Sequence, residues 1–130
     1  MKTVIFACVH NAGRSQMAAA WLSELGDPAR HRGLSAGTQP GARVHPEVLA
    51  VMREVGIDLS AATPRLLTPE LLESATHLIT MGCGESCPVA PPRVQRADWP
   101  LPDPKGQPIE RVRAIRDQIR ERVAELLRTL

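Results

Sequence analysis

Cys8-Val9-His10-Asn11-Ala12-Gly13-Arg14-Ser15 is the stretch that decides how this 130-residue chain folds. Before it, Thr3 to Val9 is a continuous, partly β-branched apolar run, the pattern of a central parallel strand buried on both faces. After it, Ser15 to Leu25 is rich in helix formers. Met17, Ala18, Trp21, Leu22 and Leu25 recur there at helical spacing, and Gly26-Asp27-Pro28 stops the helix. A strand thus leaves through the polar turn His10 to Gly13 and opens directly into a helix.

The same grammar continues along the chain. Leu34 to Ala36 reads as a short second strand closed by Gly37. His45-Pro46-Glu47 starts a helix with proline at its first position; Val48, Leu49, Met52 and Val55 form its apolar face and Gly56 ends it. Thr68-Pro69-Glu70-Leu71-Leu72 repeats that start for a shorter helix, and His77 to Met81 reads as a third strand. Gly82 to Gln107 is proline-rich and carries Cys83 and Cys87, so it reads as a long functional loop with room for one short strand. Ile109, Val112, Ile115, Ile119, Val123 and Leu126 then make one apolar stripe on a helix from Ile109 to Arg128.

Alternating strands and helices predict a single α/β domain over residues 1–130, a parallel sheet with helices on both faces. Ligands of such sheets sit outside the carboxyl ends of the strands. Cys8 with its loop, and the loop after Met81, both fall at such ends.

Composition narrows the function. Apolar residues make up 43% and charged residues 23%, which fits a packed core and argues against disorder. A net charge of +2 is too balanced to announce a nucleic-acid partner. Phe6, Trp21 and Trp99 are the aromatic residues and tyrosine is absent, so a base-stacking platform is a poor fit. No apolar run approaches the roughly 18 to 20 residues that span a bilayer, so no membrane segment is expected. The three cysteines cannot all pair within the chain, which argues against a secreted disulfide framework. The apolar start of the chain is short and runs into His10 with no cleavage region, which points to a cytoplasmic protein.

Five residues between Cys8 and Arg14 suffice to curl the backbone so that several N–H groups converge on one point. A tetrahedral oxyanion fits such a nest, and the helix N-terminus adds positive potential. Val9, His10, Asn11, Ala12, Gly13 and Arg14 would bind it, with Arg14 clamping two oxygens in a bidentate fork. The same field favours the nucleophilic thiolate of Cys8, and Ser15 can donate a hydrogen bond to that sulfur. Asn11 and Gly13 are best suited to the left-handed backbone angles of a tight loop. The plain alternative is a buried strand-end cysteine beside an unrelated arginine.

Two further groups lie on the predicted rim. On one helical turn, Cys83 and Cys87 would stand about 6 Å apart, within disulfide range, but Pro88 disfavours a helical Cys87. A zinc site with His77 or His10, or inert thiols, are the competing readings; redox exchange with Cys8 is favoured and no metal is expected. Asp103, in Trp99-Pro100-Leu101-Pro102-Asp103-Pro104, is placed to protonate a departing oxygen, with Asp98 as competitor and a simple Asp-Pro turn as the plain reading. His45 reads as a helix cap, His31 as a surface residue and His77 as a strand-end hydrogen-bonder. His10 lies within the anion loop. Arg111, Arg113, Arg116, Arg120, Arg122 and Arg128 read as a solvated helix face.

At these residues the chain resembles the arsenate reductases built on the low-molecular-weight protein tyrosine phosphatase fold. The resemblance spans essentially the whole chain and includes Cys8 to Ala18, Leu34 to Thr38, Gly56 to Ser60, the Cys83/Cys87-Pro88 loop and Asp103-Pro104. It implies a four-stranded parallel sheet, and arsenate attacked by Cys8 while Arg14 holds it and Asp103 protonates the departing oxygen. It further implies release of arsenite as Cys83 attacks the Cys8 sulfur, then a Cys83–Cys87 bridge presented to thioredoxin. No cofactor is bound in this scheme, and a monomer is expected.

Thioredoxin-coupled members place more residues between the second and third cysteines than the three here. Mycothiol or glutathione, with a glutaredoxin-type protein, is therefore the alternative reductant. Some members also bind potassium through acidic residues, matched here by Ala19 and Arg65, which implies loss of that cation site. A phosphatase is the second enzymatic reading, but the tyrosines that would wall an aryl phosphate are replaced by Lys105-Gly106. A non-enzymatic oxyanion-binding module would use Cys8 and Arg14 and leave Cys83 and Cys87 unexplained.

Overall fold

Alternate residues of the first strand feed two separate cores, and the architecture follows from that. The computed structural model describes residues 1–82 and 90–130. Its elements run β1 (Lys2–Cys8), α1 (Arg14–Leu25), β2 (His31–Gly37), α2 (Pro46–Glu54), α3 (Pro69–Glu73), β3 (His77–Thr80), β4 (Gln95–Asp98) and α4 (Ile109–Thr129). Val4, Phe6 and Cys8 point into one core with Met17, Trp21 and Leu22 of α1, Val48 and Met52 of α2, and Val112, Ile115 and Ile119 of α4. Ile5 and Ala7 point the other way, with Leu78, Leu72 of α3, and Ala90 and Val94. A period of two with both faces covered is why the run reads as unbroken apolar sequence.

The four strands are parallel, in the order β2-β1-β3-β4. The chain moves from β1 to one side for β2 and returns to the other side for β3. The switch point therefore lies between the carboxyl ends of β1 and β3, where Cys8 and the residues after Thr80 emerge. Among the described residues, no helix is long and apolar enough to cross a membrane.

Several sequence expectations shift. The second strand is longer than Leu34 to Ala36, because His31 to Gly33 continue the ladder with Lys2 to Val4 through backbone bonds alone. His31 is accordingly a half-buried strand residue whose Nδ1 accepts from the Asp27 N–H at 2.9 Å. The short strand expected in the long loop is β4, whose four residues are all exposed. A polar edge strand has no apolar alternation to betray it. Arg116 does not join a solvated face. It is 8% exposed, donates to the Val51 carbonyl at 2.9 Å, and pairs with Glu54 and Asp117.

His77 sits at the start of β3, buried, with Nδ1 2.9 Å from the Thr76 hydroxyl, so its reading as a strand-end hydrogen-bonder holds. Burial, then the nearby Lys2 cation, pushes its pKa below the ordinary value of 6.5. The folded state thus favours neutral imidazole. This contribution is complete above about pH 6.5 and is lost as pH falls through the lower folded value. Thermal denaturation from pH 7 to 5 is expected to show a steeper fall in midpoint for the wild type than for His77→Gln.

Candidate active site

The Cys8-to-Ser15 loop is built around a buried asparagine. Asn11 is the one non-glycine residue with positive φ among the described residues, at 52°, and it is fully buried. Its Oδ1 accepts the Arg65 backbone N–H at 2.9 Å and a Gln16 amide N–H at 3.3 Å, so its Nδ2 is left to donate to Ser15 Oγ, at 2.7 Å. Ser15 Oγ also lies 2.8 Å from the sulfur of Cys8, and toward a thiolate, which has no proton to give, the serine O–H is the donor. A relay of three side chains therefore presents a hydrogen-bond donor to Cys8, which is itself 3% exposed at the end of β1.

Asn11 adopts the left-handed conformation the sequence suggested, whereas Gly13 does not: its φ is −142°. Glycine is needed there for closeness, since a Cβ at position 13 would lie 2.8 Å from Pro104 Cγ. That contact seats the Asp103-Pro104 turn directly on the anion loop. α1 then begins at Arg14, with the Met17 N–H donating to the Gly13 carbonyl at 3.0 Å. The next segment wraps the loop: Gln39, Gly41 and His45 N–H groups donate to the carbonyls of Val9, His10 and Ala12 at 2.8–2.9 Å. With its carbonyls held outward, the loop leaves its own N–H groups for a ligand.

One small cavity, about 10 Å³, is lined by Cys8, His10, Ala12, Gly13, Arg14, His45 and Asp103. The structure thus brings together the nucleophile, the arginine and the acid named from sequence. Asp103 is exposed, and its Oδ1 accepts the Lys105 N–H at 3.0 Å, which holds the carboxylate at the mouth. Asp98 belongs elsewhere: it is exposed on β4 and accepts the Thr80 hydroxyl at 2.7 Å. Arg14 Nη1 donates to the Leu101 carbonyl at 2.8 Å. Cys83 and Cys87 lie outside the described residues. Larger cavities exist, one of about 410 Å³ beside Leu67, Leu72 and Pro91, but no cysteine or arginine among the described residues lines it.

Sequence reasoning missed two features. His45 occupies the N-cap position of α2, yet its side chain makes no capping bond and faces the anion cavity instead. Gln16 and the backbone of Arg65 secure Asn11, and Arg65 Nε also donates to the Ser35 carbonyl at 3.0 Å. No local signal marks either role, because both depend on segments brought together across the sheet edge.

Residues 3–130 match the family model described as low molecular weight phosphotyrosine protein phosphatase. The chain belongs to this family. A putative arsenate reductase of Halobacterium salinarum is 44% identical over 127 residues, covering 93% of this chain and 87% of the relative. Among solved structures, a thioredoxin-dependent arsenate reductase from Corynebacterium glutamicum superposes with a TM-score of 0.85 at 37% identity, covering 99% of this chain; this chain spans 61% of it. An arsenate reductase in its phosphate-binding state superposes with a TM-score of 0.83 at 36% identity, covering 99% and 98%.

Two substitutions test the relay. Asn11→Ala places alanine at a positive φ and leaves the Arg65 N–H without its acceptor, and should lower stability by about 2–3 kcal/mol in chemical denaturation. Ser15→Ala should leave the fold intact and slow iodoacetamide alkylation of Cys8 at neutral pH on the order of tenfold, through loss of the donor to the thiolate.

Proposed function

We propose that this chain reduces arsenate to arsenite, using Cys8 as nucleophile. The observation that carries the reading is one cavity lined by Cys8, Arg14 and Asp103, with the sulfur held by Ser15. The names of relatives that match nearly the whole chain support it. The Cys8 thiolate attacks arsenic, forming a sulfur–arsenic bond, and the departing oxygen leaves as water with a proton from Asp103. Val9 to Gly13 N–H groups and the Arg14 fork hold the remaining oxygens as charge shifts.

Completing the reduction needs two electrons from a second thiol. Cys83 attacks the Cys8 sulfur; the sulfur–arsenic bond breaks with its electron pair going to arsenic, which leaves as arsenite. Cys87 then attacks Cys83, restoring the Cys8 thiolate, and a dithiol of thioredoxin reduces the Cys83–Cys87 bridge. The name of the Corynebacterium neighbour supports thioredoxin as reductant over mycothiol or glutathione with a glutaredoxin-type protein. The cytoplasm, where thioredoxin is kept reduced, is the compartment this chemistry requires.

Arsenate-dependent oxidation of NADPH through thioredoxin and its reductase tests the scheme. Wild type should turn over; Cys8→Ser should lose activity by at least about 10³-fold, as removal of a nucleophile does. Cys83→Ser and Cys87→Ser should each fail with thioredoxin. Activity restored only by mycothiol or glutathione would replace the reductant and leave the nucleophile standing. Full turnover by Cys8→Ser would end the proposal, and faster hydrolysis of an aryl phosphate than reduction of arsenate would favour a phosphatase.

A further inference from the structure

Arg14 supplies the fork for the oxyanion, yet nothing in the anion loop itself fixes where that fork points. Its side chain is half-buried, and its one hydrogen bond among the described residues runs from Nη1 to the Leu101 carbonyl. In a planar guanidinium, using Nη1 this way leaves the parallel Nε and Nη2 hydrogens as the pair for two oxygens. The second boundary on Nη1 is Gly82, which has φ +86°. A Cβ built at position 82 would lie 2.6 Å from Nη1, 3.6 Å from Cζ and 3.9 Å from Nη2, so the contact is end-on against the nitrogen that Leu101 holds.

We infer that Gly82 is a positioning residue for the oxyanion: its bare Cα gives the Arg14 guanidinium room to rest on the Leu101 carbonyl with the fork free. A side chain there meets the far end of a flexible arginine rather than backbone. The guanidinium therefore yields and the fold survives. What is lost is the seat at Leu101, and with it the direction of the fork. Because Leu101 lies two residues before Asp103, the same seat fixes the arginine relative to the acid. This inference rests on the oxyanion reading of the loop and assigns that site a residue outside it.

Backbone strain must be separated from this contact, and the chain supplies a control. Gly56 has φ +82° with no atom within 4 Å of its would-be Cβ, so Gly56→Ala carries the same strain with no collision. Gly82→Asn complements it, since asparagine tolerates positive φ but still carries a Cβ. The readout is protection of Cys8 from iodoacetamide by inorganic phosphate, followed by mass spectrometry of the Cys8 peptide, alongside thermal midpoints. That readout needs neither Cys83 nor Cys87. Gly82→Ala and Gly82→Asn should both require on the order of tenfold more phosphate, as expected for a misdirected bidentate contact, with arsenate KM rising in parallel. Gly56→Ala should lose a similar amount of thermal stability to Gly82→Ala and keep wild-type protection. Protection within twofold of wild type in either Gly82 variant overturns the inference. Absence of phosphate protection in the wild type overturns the oxyanion reading and this inference with it.

Discussion

The side-chain amide of Asn11 is the interaction on which the rest of the site depends. A loop of five residues that turns its N–H groups inward cannot hydrogen-bond to itself, so its shape must be imposed from outside. Asn11 does this by taking a left-handed conformation in full burial, and by accepting the Arg65 N–H and a Gln16 amide while donating to Ser15. Buried polar networks of this kind fix one arrangement because each alternative leaves a donor or acceptor without a partner. The hydrogen bond to the Cys8 sulfur is the last link of that network, so the chemistry of the thiol is tied to the packing of Arg65, 54 positions beyond Asn11.

The sheet explains why this loop is where it is. β1 is buried on both faces and sits between β2 and β3, so its carboxyl end opens at the place where the connections diverge. The loop must then pass over the end of β2, and the stretch from Gln39 to His45 clasps its outward carbonyls. Two rim segments complete the enclosure. Asp103-Pro104 is pressed onto Gly13, and Gly82 approaches the Arg14 guanidinium. Cys8 stands at the end of a buried strand and Asp103 on an exposed turn, an arrangement that suits the proposed roles of nucleophile and proton donor.

Strong local patterns were legible in advance. The apolar run before Cys8, the proline starts at Pro46 and Pro69 and the stripe from Ile109 to Leu126 each became the expected element, with ends displaced by a residue or so. Weak patterns were not. β4 is entirely exposed and is a strand because β3 offers it backbone partners. Arg116 looked like its neighbours on α4, yet the Val51 carbonyl and Glu54 draw it inward. His45 had the position of a helix cap, yet its side chain makes no capping bond.

The sequence by itself determined the α/β class and the Cys8-to-Ser15 loop, and it singled out Cys8, Arg14 and Asp103 as the candidate residues. Those are set by residues adjacent in the chain, where spacing translates directly into backbone geometry. Only the tertiary structure decided that Asp103 rather than Asp98 faces Cys8, and that Gln16 and Arg65 hold Asn11. It alone placed His45 on the cavity beside Cys8 and set both Gly82 and Leu101 against the Arg14 nitrogen. Each of these is a contact between segments far apart in sequence, fixed by where parallel strands end and by the space left between their loops.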